Sequence, residues 1–314
     1  FEIMRKRVDA DKPTKQRETT VLANRDTWKK WAETQFKDFL FVQTNSSSGF
    51  IVERETLNLI KFSVNSNSTE VKAFGDDMFV EDIIEIVESN FEVVISYIEW
   101  VYGGDGSSVN VPLNRARLPV KEMYPFLGDE TLEEYYDRYI NSPASILLLI
   151  GPPGTGKTTF IRGLLAHRNS SAIVTYDSGI LEKDGFFARF IEDDAEIMVL
   201  EDSDAFLKSR TDGNTMMHRF LNVGDGLVTT KGKKMIFSTN LPSIRDIDSA
   251  LVRPGRCFDI LTFNELSKDE ANTLANRLGV TLPDGKTSYS LAEVFNQQSE
   301  NAKNASTNRK VGFV

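Results

Sequence analysis

The run Ile146–Phe160, ILLLIGPPGTGKTTF, constrains the fold more than any other stretch of the chain. Five apolar residues lead into a turn in which Gly151, Gly156, Lys157 and Thr158 keep the spacing G-x-x-x-x-G-K-[ST], and a helix-like segment follows. The spacing matters because glycine lets backbone N–H groups converge on phosphate oxygens, while the following helix adds the positive end of its dipole. Gly151, Pro152, Pro153, Gly154, Thr155, Gly156, Lys157, Thr158 and Thr159 are therefore the candidate phosphate-binding residues. Lys157 is expected to reach the outer phosphates and Thr158 to hold Mg²⁺ through its hydroxyl. A chance turn rich in Gly and Pro would need the spacing and its strand-loop-helix setting to coincide.

Three further segments extend the pattern. IMVLEDSDAF is an apolar strand ending in Glu201 and Asp202, placed so that Glu201 serves the metal side and Asp202 polarises an attacking water. IFSTN closes a strand in Thr239 and Asn240, whose amide can orient that water; as a bare turn former, Asn240 would carry no chemistry. ALVRPGRCFD sets Arg253 and Arg256 three residues apart around Pro254 and Gly255, and rigid, permanently charged guanidinium groups suit a phosphate site. With SAIVTYD and KKMIFSTN, these apolar runs read as central strands of a doubly wound parallel α/β sheet.

The segments GPPGTGKTT, VLEDSDAF, RFLNVGDGL and FSTNLPSIRDIDSALVRPGRCFD, in this order, resemble the AAA family of ATPases over roughly residues 124–296. The order Glu201-Asp202 and the FLNVGDG segment look most like the subfamily of the mitochondrial Rieske-protein translocase. The resemblance implies a phosphate-loop NTPase fold with a small helical lid, ATP and Mg²⁺ as cofactors, and Asn240 as a phosphate sensor. It further implies that Arg253 and Arg256 reach into an adjacent subunit, hence a homo-oligomeric ring, with six subunits preferred to seven. That subfamily carries a membrane span ahead of its ATPase, and this sequence shows none. AAA unfoldases commonly carry an aromatic pore loop, whose nearest counterparts here are Phe186 and Phe187, although both rings read better as core. The lid offers no arginine that matches a second sensor.

Residues 1–120 read as a separate mixed α+β domain for a substrate or partner, residues 121–262 as the large ATPase subdomain, 263–300 as the lid and 301–314 as a tail. In the first domain, Trp28, Trp31, Ala32, Phe36 and Phe39 fall on one face of a helix expected over 27–42, either core or a partner-binding face. LNLIKFSV and EVKAF read as strands, Val80, Ile83, Ile84 and Val87 as a second helix face, and residues 91–113 as a hairpin. The opening MRKRVDADKPTKQR reads as a mobile basic tail.

Charge narrows the partners. The chain has a formal net charge of −9, and ten acids against the single base Lys72 lie between Glu70 and Asp105. Such a surface repels a nucleic-acid backbone. One cysteine, Cys257, allows neither an intrachain disulfide nor a zinc cluster, and a reducing, cytoplasmic setting for a soluble chain is expected. No apolar run approaches the ~20 residues of a membrane helix. The leading expectation is a ring ATPase that remodels or translocates a protein. Two alternatives stand beside it: a nucleic-acid machine whose pore is lined by KGKK (Lys231–Lys234), and a slowly hydrolysing, nucleotide-gated scaffold.

Overall fold

The computed structural model describes residues 14–102, 107–114, 118–192, 195–208, 219–221 and 232–295. The chain divides into two compact units, residues 1–97 with 112–116 and residues 98–111 with 117–314.

The first unit is built on an antiparallel sheet of β1 (Lys15–Val21), β2 (Leu40–Gln43), β3 (Ser48–Val52), β4 (Leu59–Val64) and β5 (Thr69–Gly75), in the order β1-β5-β4-β3-β2. Two helices, α1 (Arg25–Gln35) and α2 (Asp77–Asn90), complete it. Asn24 and Asp76 cap them, each side chain accepting from the backbone N–H three residues on. Trp28, Ala32 and Phe36 are buried in one cluster with Ile51, Ile60, Val71, Val80 and Ile84, and Trp31 and Phe39 pack against it. The aromatic face of α1 is thus core and not a partner surface.

Two expectations for this unit are corrected. The first helix ends at Gln35, because the run Leu40–Gln43 pairs with β3 as a strand. The basic opening is no loose tail from Lys15 onward: β1 pairs with β5, and Lys15 and Arg17 reach Asp77 and Glu81 on α2. Complementary charge from a distant segment, invisible to local periodicity, orders these residues. Residues 1–13 lie outside the described ones.

The second unit carries the expected α/β sheet. The strands of this sheet are β6 (Val94–Val101) and β7 (Ser108–Asn114), of which residues 94–97 and 112–114 fall in the first unit, with β8 (Ile146–Ile150), β9 (Ala172–Val174), β10 (Ile197–Leu200), β11 (Lys234–Thr239) and β12 (Cys257–Thr262), ordered β12-β8-β11-β10-β9-β6-β7. The pairs β12–β8, β8–β11, β11–β10, β10–β9 and β9–β6 are all parallel. Every residue of β8 is buried, so both faces are covered and the strand reads as a continuous apolar run. Between strands run α3 (Leu132–Asn141), α4 (Lys157–Arg168), the short α5 (Ser178–Leu181), α6 (Asp184–Glu192) and the single turn α7 (Asp204–Leu207). Thr131 and Glu134 form a reciprocal cap at the start of α3.

Phe186 and Phe187 on α6 are buried, 6% and 5% exposed, in the cluster that holds Ile146, Leu148 and Phe237. Both rings are core. Beyond β12, two short strands, β13 (Leu266–Ser267) and β14 (Ser288–Tyr289), join α8 (Lys268–Leu278) and α9 (Leu291–Phe295), so the lid is not purely helical.

The KGKK segment does not offer a run of free cations. Lys234 begins β11, 3% exposed, and its ammonium donates to the carbonyls of Ser142 at 2.7 Å and Ala144 at 2.9 Å. Lys233 donates to the Ala195 carbonyl at 2.8 Å; Lys231 lies outside the described residues. Two lysines are therefore spent on holding the strand. Burial pushes the Lys234 pKa down to about 8 from 10.5. Between these values the unfolded chain holds a proton that the fold releases, so this residue's contribution to stability rises with pH through that window. Denaturant midpoints of the wild type and Lys234→Met, measured from pH 7 to 10.5, are expected to diverge in favour of the wild type. A constant difference would contradict the burial effect.

Candidate functional site

The phosphate loop leaves β8 at Gly151 and enters α4 at Lys157. Its shape is dictated by a close backbone approach at Gly151 and a left-handed backbone at Gly156. A Cβ on Gly151, at φ +155°, would lie 2.1 Å from the Phe263 carbonyl oxygen, and one on Gly156, at φ +94°, would lie 2.4 Å from a Leu291 methyl. Glycine is required at both positions. The loop is fastened from outside by the Tyr124 hydroxyl, which donates to the Gly156 carbonyl at 3.1 Å, and by the Ala292 N–H of α9, which donates to the Gly154 carbonyl at 3.1 Å.

Against this loop lies a cavity of about 840 Å³ at the carboxyl ends of the parallel strands, the place where open α/β sheets bind ligands. Pro153, Gly154 and Gly156 line it from the loop, Lys157, Thr158 and Thr159 from the first turn of α4, Glu201, Asp202 and Asn240 from the strand ends, and Leu291, Ala292 and Phe295 from α9. Its volume falls in the range of small-molecule and cofactor sites.

Within the cavity the polar groups hold one another. The Lys157 ammonium donates to the carbonyls of Gly151 at 2.5 Å and Pro152 at 3.1 Å and to Asn240 Oδ1 at 2.9 Å. Burial lowers its pKa, while the charges of Asp202, Asp204 and Glu201 pull it back up. Thr158 donates its hydroxyl to Glu201 Oε1. Asn240 donates Nδ2 to Asp202 Oδ1 at 3.1 Å. The acidic pair is thus divided: Glu201 stands on the threonine, Asp202 on the asparagine. Asp202 also holds a left-handed backbone, φ 48°, uncommon for any residue but glycine. Such local strain clusters at functional sites.

Asp204 was not singled out from sequence and fixes the asparagine. Its Oδ1 accepts from the Asn240 N–H at 3.0 Å and from the Thr239 hydroxyl. The third acid in EDSD was its one local sign, and its partner lies 36 residues away.

The arginines stand elsewhere. The Arg256 carbonyl accepts from the Ile146 N–H at 3.0 Å, at the start of β8, whereas the phosphate loop follows its other end. Five strand residues separate them, about 16 Å. Arg253 is exposed, while Arg256 is half-buried and donates Nη1 to the Ala250 carbonyl at 2.7 Å. Twelve of the sequence-predicted site residues are therefore brought to one pocket region, and the two arginines are not among them.

The donor set suits Mg²⁺. A threonine hydroxyl and one carboxylate are hard oxygen ligands of the kind that bind this ion together with substrate phosphates. Among the described residues no group of three or more His, Cys, Asp or Glu gathers as a self-sufficient metal cage. Nor, among them, is any helix long and apolar enough to cross a membrane.

Comparison with known proteins agrees with this geometry. Residues 147–265 match the family "ATPase family associated with various cellular activities (AAA)". The 26S proteasome regulatory subunit 8 of Caenorhabditis elegans is 30% identical over 191 residues, covering 55% of this chain and 41% of that protein. The proteasome-activating nucleotidase of Methanoregula boonei is 28% identical over 202 residues, covering 55% and 43%. An ATP-dependent zinc metalloprotease YME1 homolog of C. elegans is 28% identical over 163 residues, covering 47% and 22%. The chain thus spans about two fifths of the length of the proteasomal relatives it matches. A matched family model, a phosphate loop on a parallel sheet and an acidic pair at the end of β10, one strand beyond β11, agree with one another: the second unit contains an AAA-family ATPase domain.

Proposed function

We propose that the chain hydrolyses ATP in a homo-oligomeric ring and applies the energy to a protein substrate. The observation that carries this reading is the separation of the groups: Lys157, Thr158, Glu201, Asp202 and Asn240 share one cavity, which neither Arg253 nor Arg256 lines, and the Arg256 carbonyl is bonded at the opposite end of β8. Such a division favours completion of the site by a neighbour. In this reading the loop N–H groups and Lys157 bind the triphosphate, and Thr158 and Glu201 would hold Mg²⁺, which supplies neutralisation of charge on the outer phosphates. Asp202 takes the proton of the attacking water, Asn240 orients that water, and Arg253 with Arg256 stabilises the charge that develops on the next subunit's phosphate.

The protein substrate is inferred from the proteasomal and YME1-like relatives and from the acidic first unit, which disfavours nucleic acid. Burial of Lys234 removes one support of the nucleic-acid alternative. Six subunits remain the preferred count, 1–120, 121–262, 263–300 and 301–314 the proposed functional division, and the Glu201-Asp202 order the ground for kinship with the Rieske-protein translocase subfamily.

The test is ATP turnover per subunit against protein concentration. It is expected to fall on dilution, and Asp202→Asn is expected to cut turnover by about 100-fold or more with nucleotide still bound. Turnover that is independent of concentration would refute a shared site. Turnover below ~0.01 per second in an assembled ring, against ~10 per second for a median enzyme, would favour the scaffold.

A further inference from the structure

Glu201 has a second polar contact outside the assignment above. Its Oε1 accepts from Thr158, and its Oε2 accepts from the Tyr176 hydroxyl at 2.9 Å. Tyr176 lies two residues beyond β9 and lines the nucleotide cavity. Its ring meets Trp100 edge-on, with centroids 6.5 Å apart, and Trp100 leans on Tyr102 at 5.6 Å. The parallel register places them so, since Trp100 on β6 stands opposite Val174 at the end of β9. All three rings are exposed, Tyr176 at 54%, so burial of apolar surface does not explain the arrangement. The terminal torsion of a glutamate is broad and roughly two-fold. A carboxylate anchored at one oxygen can therefore still turn, whereas one anchored at both cannot.

We propose that Tyr176 is the positioning residue for Glu201: its hydroxyl fixes Oε2, so that Oε1 is the oxygen presented to Thr158 and the metal shell, and Trp100 braces the tyrosine ring. This rests on the nucleotide reading of the cavity. An ordinary phenol is already protonated at neutral pH, so the hydroxyl is a donor throughout the physiological range. Removal of partners that orient a metal ligand lowers metal affinity or activity by roughly 10–100-fold.

Tyr176→Phe keeps the ring and its contact with Trp100 and removes only the hydroxyl. The experiment is equilibrium binding of a fluorescent ADP analogue to the full chain, with Mg²⁺ titrated against a fixed EDTA background. The variant is expected to need about 10-fold more Mg²⁺ for half-saturation, with nucleotide affinity in EDTA unchanged. Trp100→Leu is expected to shift the same half-point in the same direction by a smaller factor. A half-point for Tyr176→Phe within twofold of the wild type would overturn the positioning role alone. An unaltered chain that shows no Mg²⁺-dependent nucleotide binding would overturn the nucleotide reading itself, and this role with it.

Discussion

Arg253→Ala is expected to lower ATP turnover of the assembled protein by about three to five powers of ten, the effect of an arginine supplied in trans in related phosphate-loop enzymes. The side chain is exposed, so its removal is expected to leave the unfolding midpoint and nucleotide binding unchanged. Arg256→Ala differs, because the Arg256 guanidinium also donates to the Ala250 carbonyl; here a loss of about 1 kcal/mol in stability accompanies the loss of rate. Mixing provides the sharper measurement. Arg253→Ala retains an intact pocket and Lys157→Ala retains an intact arginine, so subunits of the two inactive variants can form whole sites between them. Equimolar mixtures are expected to recover a sizeable fraction of wild-type turnover. Mixtures as idle as their components would show that no group is lent between chains.

The second large effect is at Gly151. Alanine there would place a methyl 2.1 Å from the Phe263 carbonyl oxygen, an approach that backbone atoms cannot accept without moving. Phe263 is itself tied to β8, its N–H donating to the Ile150 carbonyl at 2.7 Å, so neither side yields easily. Gly151→Ala is expected to destabilise the chain by at least about 2 kcal/mol and to weaken ATP binding by about 100-fold, the scale of a misplacement near 1 Å. Thermal unfolding and nucleotide titration read the two effects separately. Binding within threefold of the wild type would show that the loop geometry tolerates the shift.

The pocket was largely legible in the sequence because its parts are local. The loop spacing, the strand IMVL ending in Glu201 and Asp202, and the strand ending in Asn240 each signal themselves within a dozen residues, and the continuous apolar character of β8 and β10 follows from burial on both faces. What escaped notice depends on partners far along the chain. β1 exposes its first four residues and is held by charges on α2, so it resembles a solvated tail. Asp204 acts through Thr239 and Asn240, and Tyr176 through Glu201, pairings that no periodicity encodes. Lys234 reads as a free cation until the ends of α3 and β8 bring two carbonyls to it.

β8 joins the two halves of this chemistry. Its leading N–H is bonded to the Arg256 carbonyl, its trailing end opens into the phosphate loop, and β11 and β12 hold it in register from either side. A strand clamped in this way transmits displacement as a strut does, with little slack. In the ring proposed above, a chain could not then adjust its grip on its own nucleotide without also shifting the arginine edge it would offer next door.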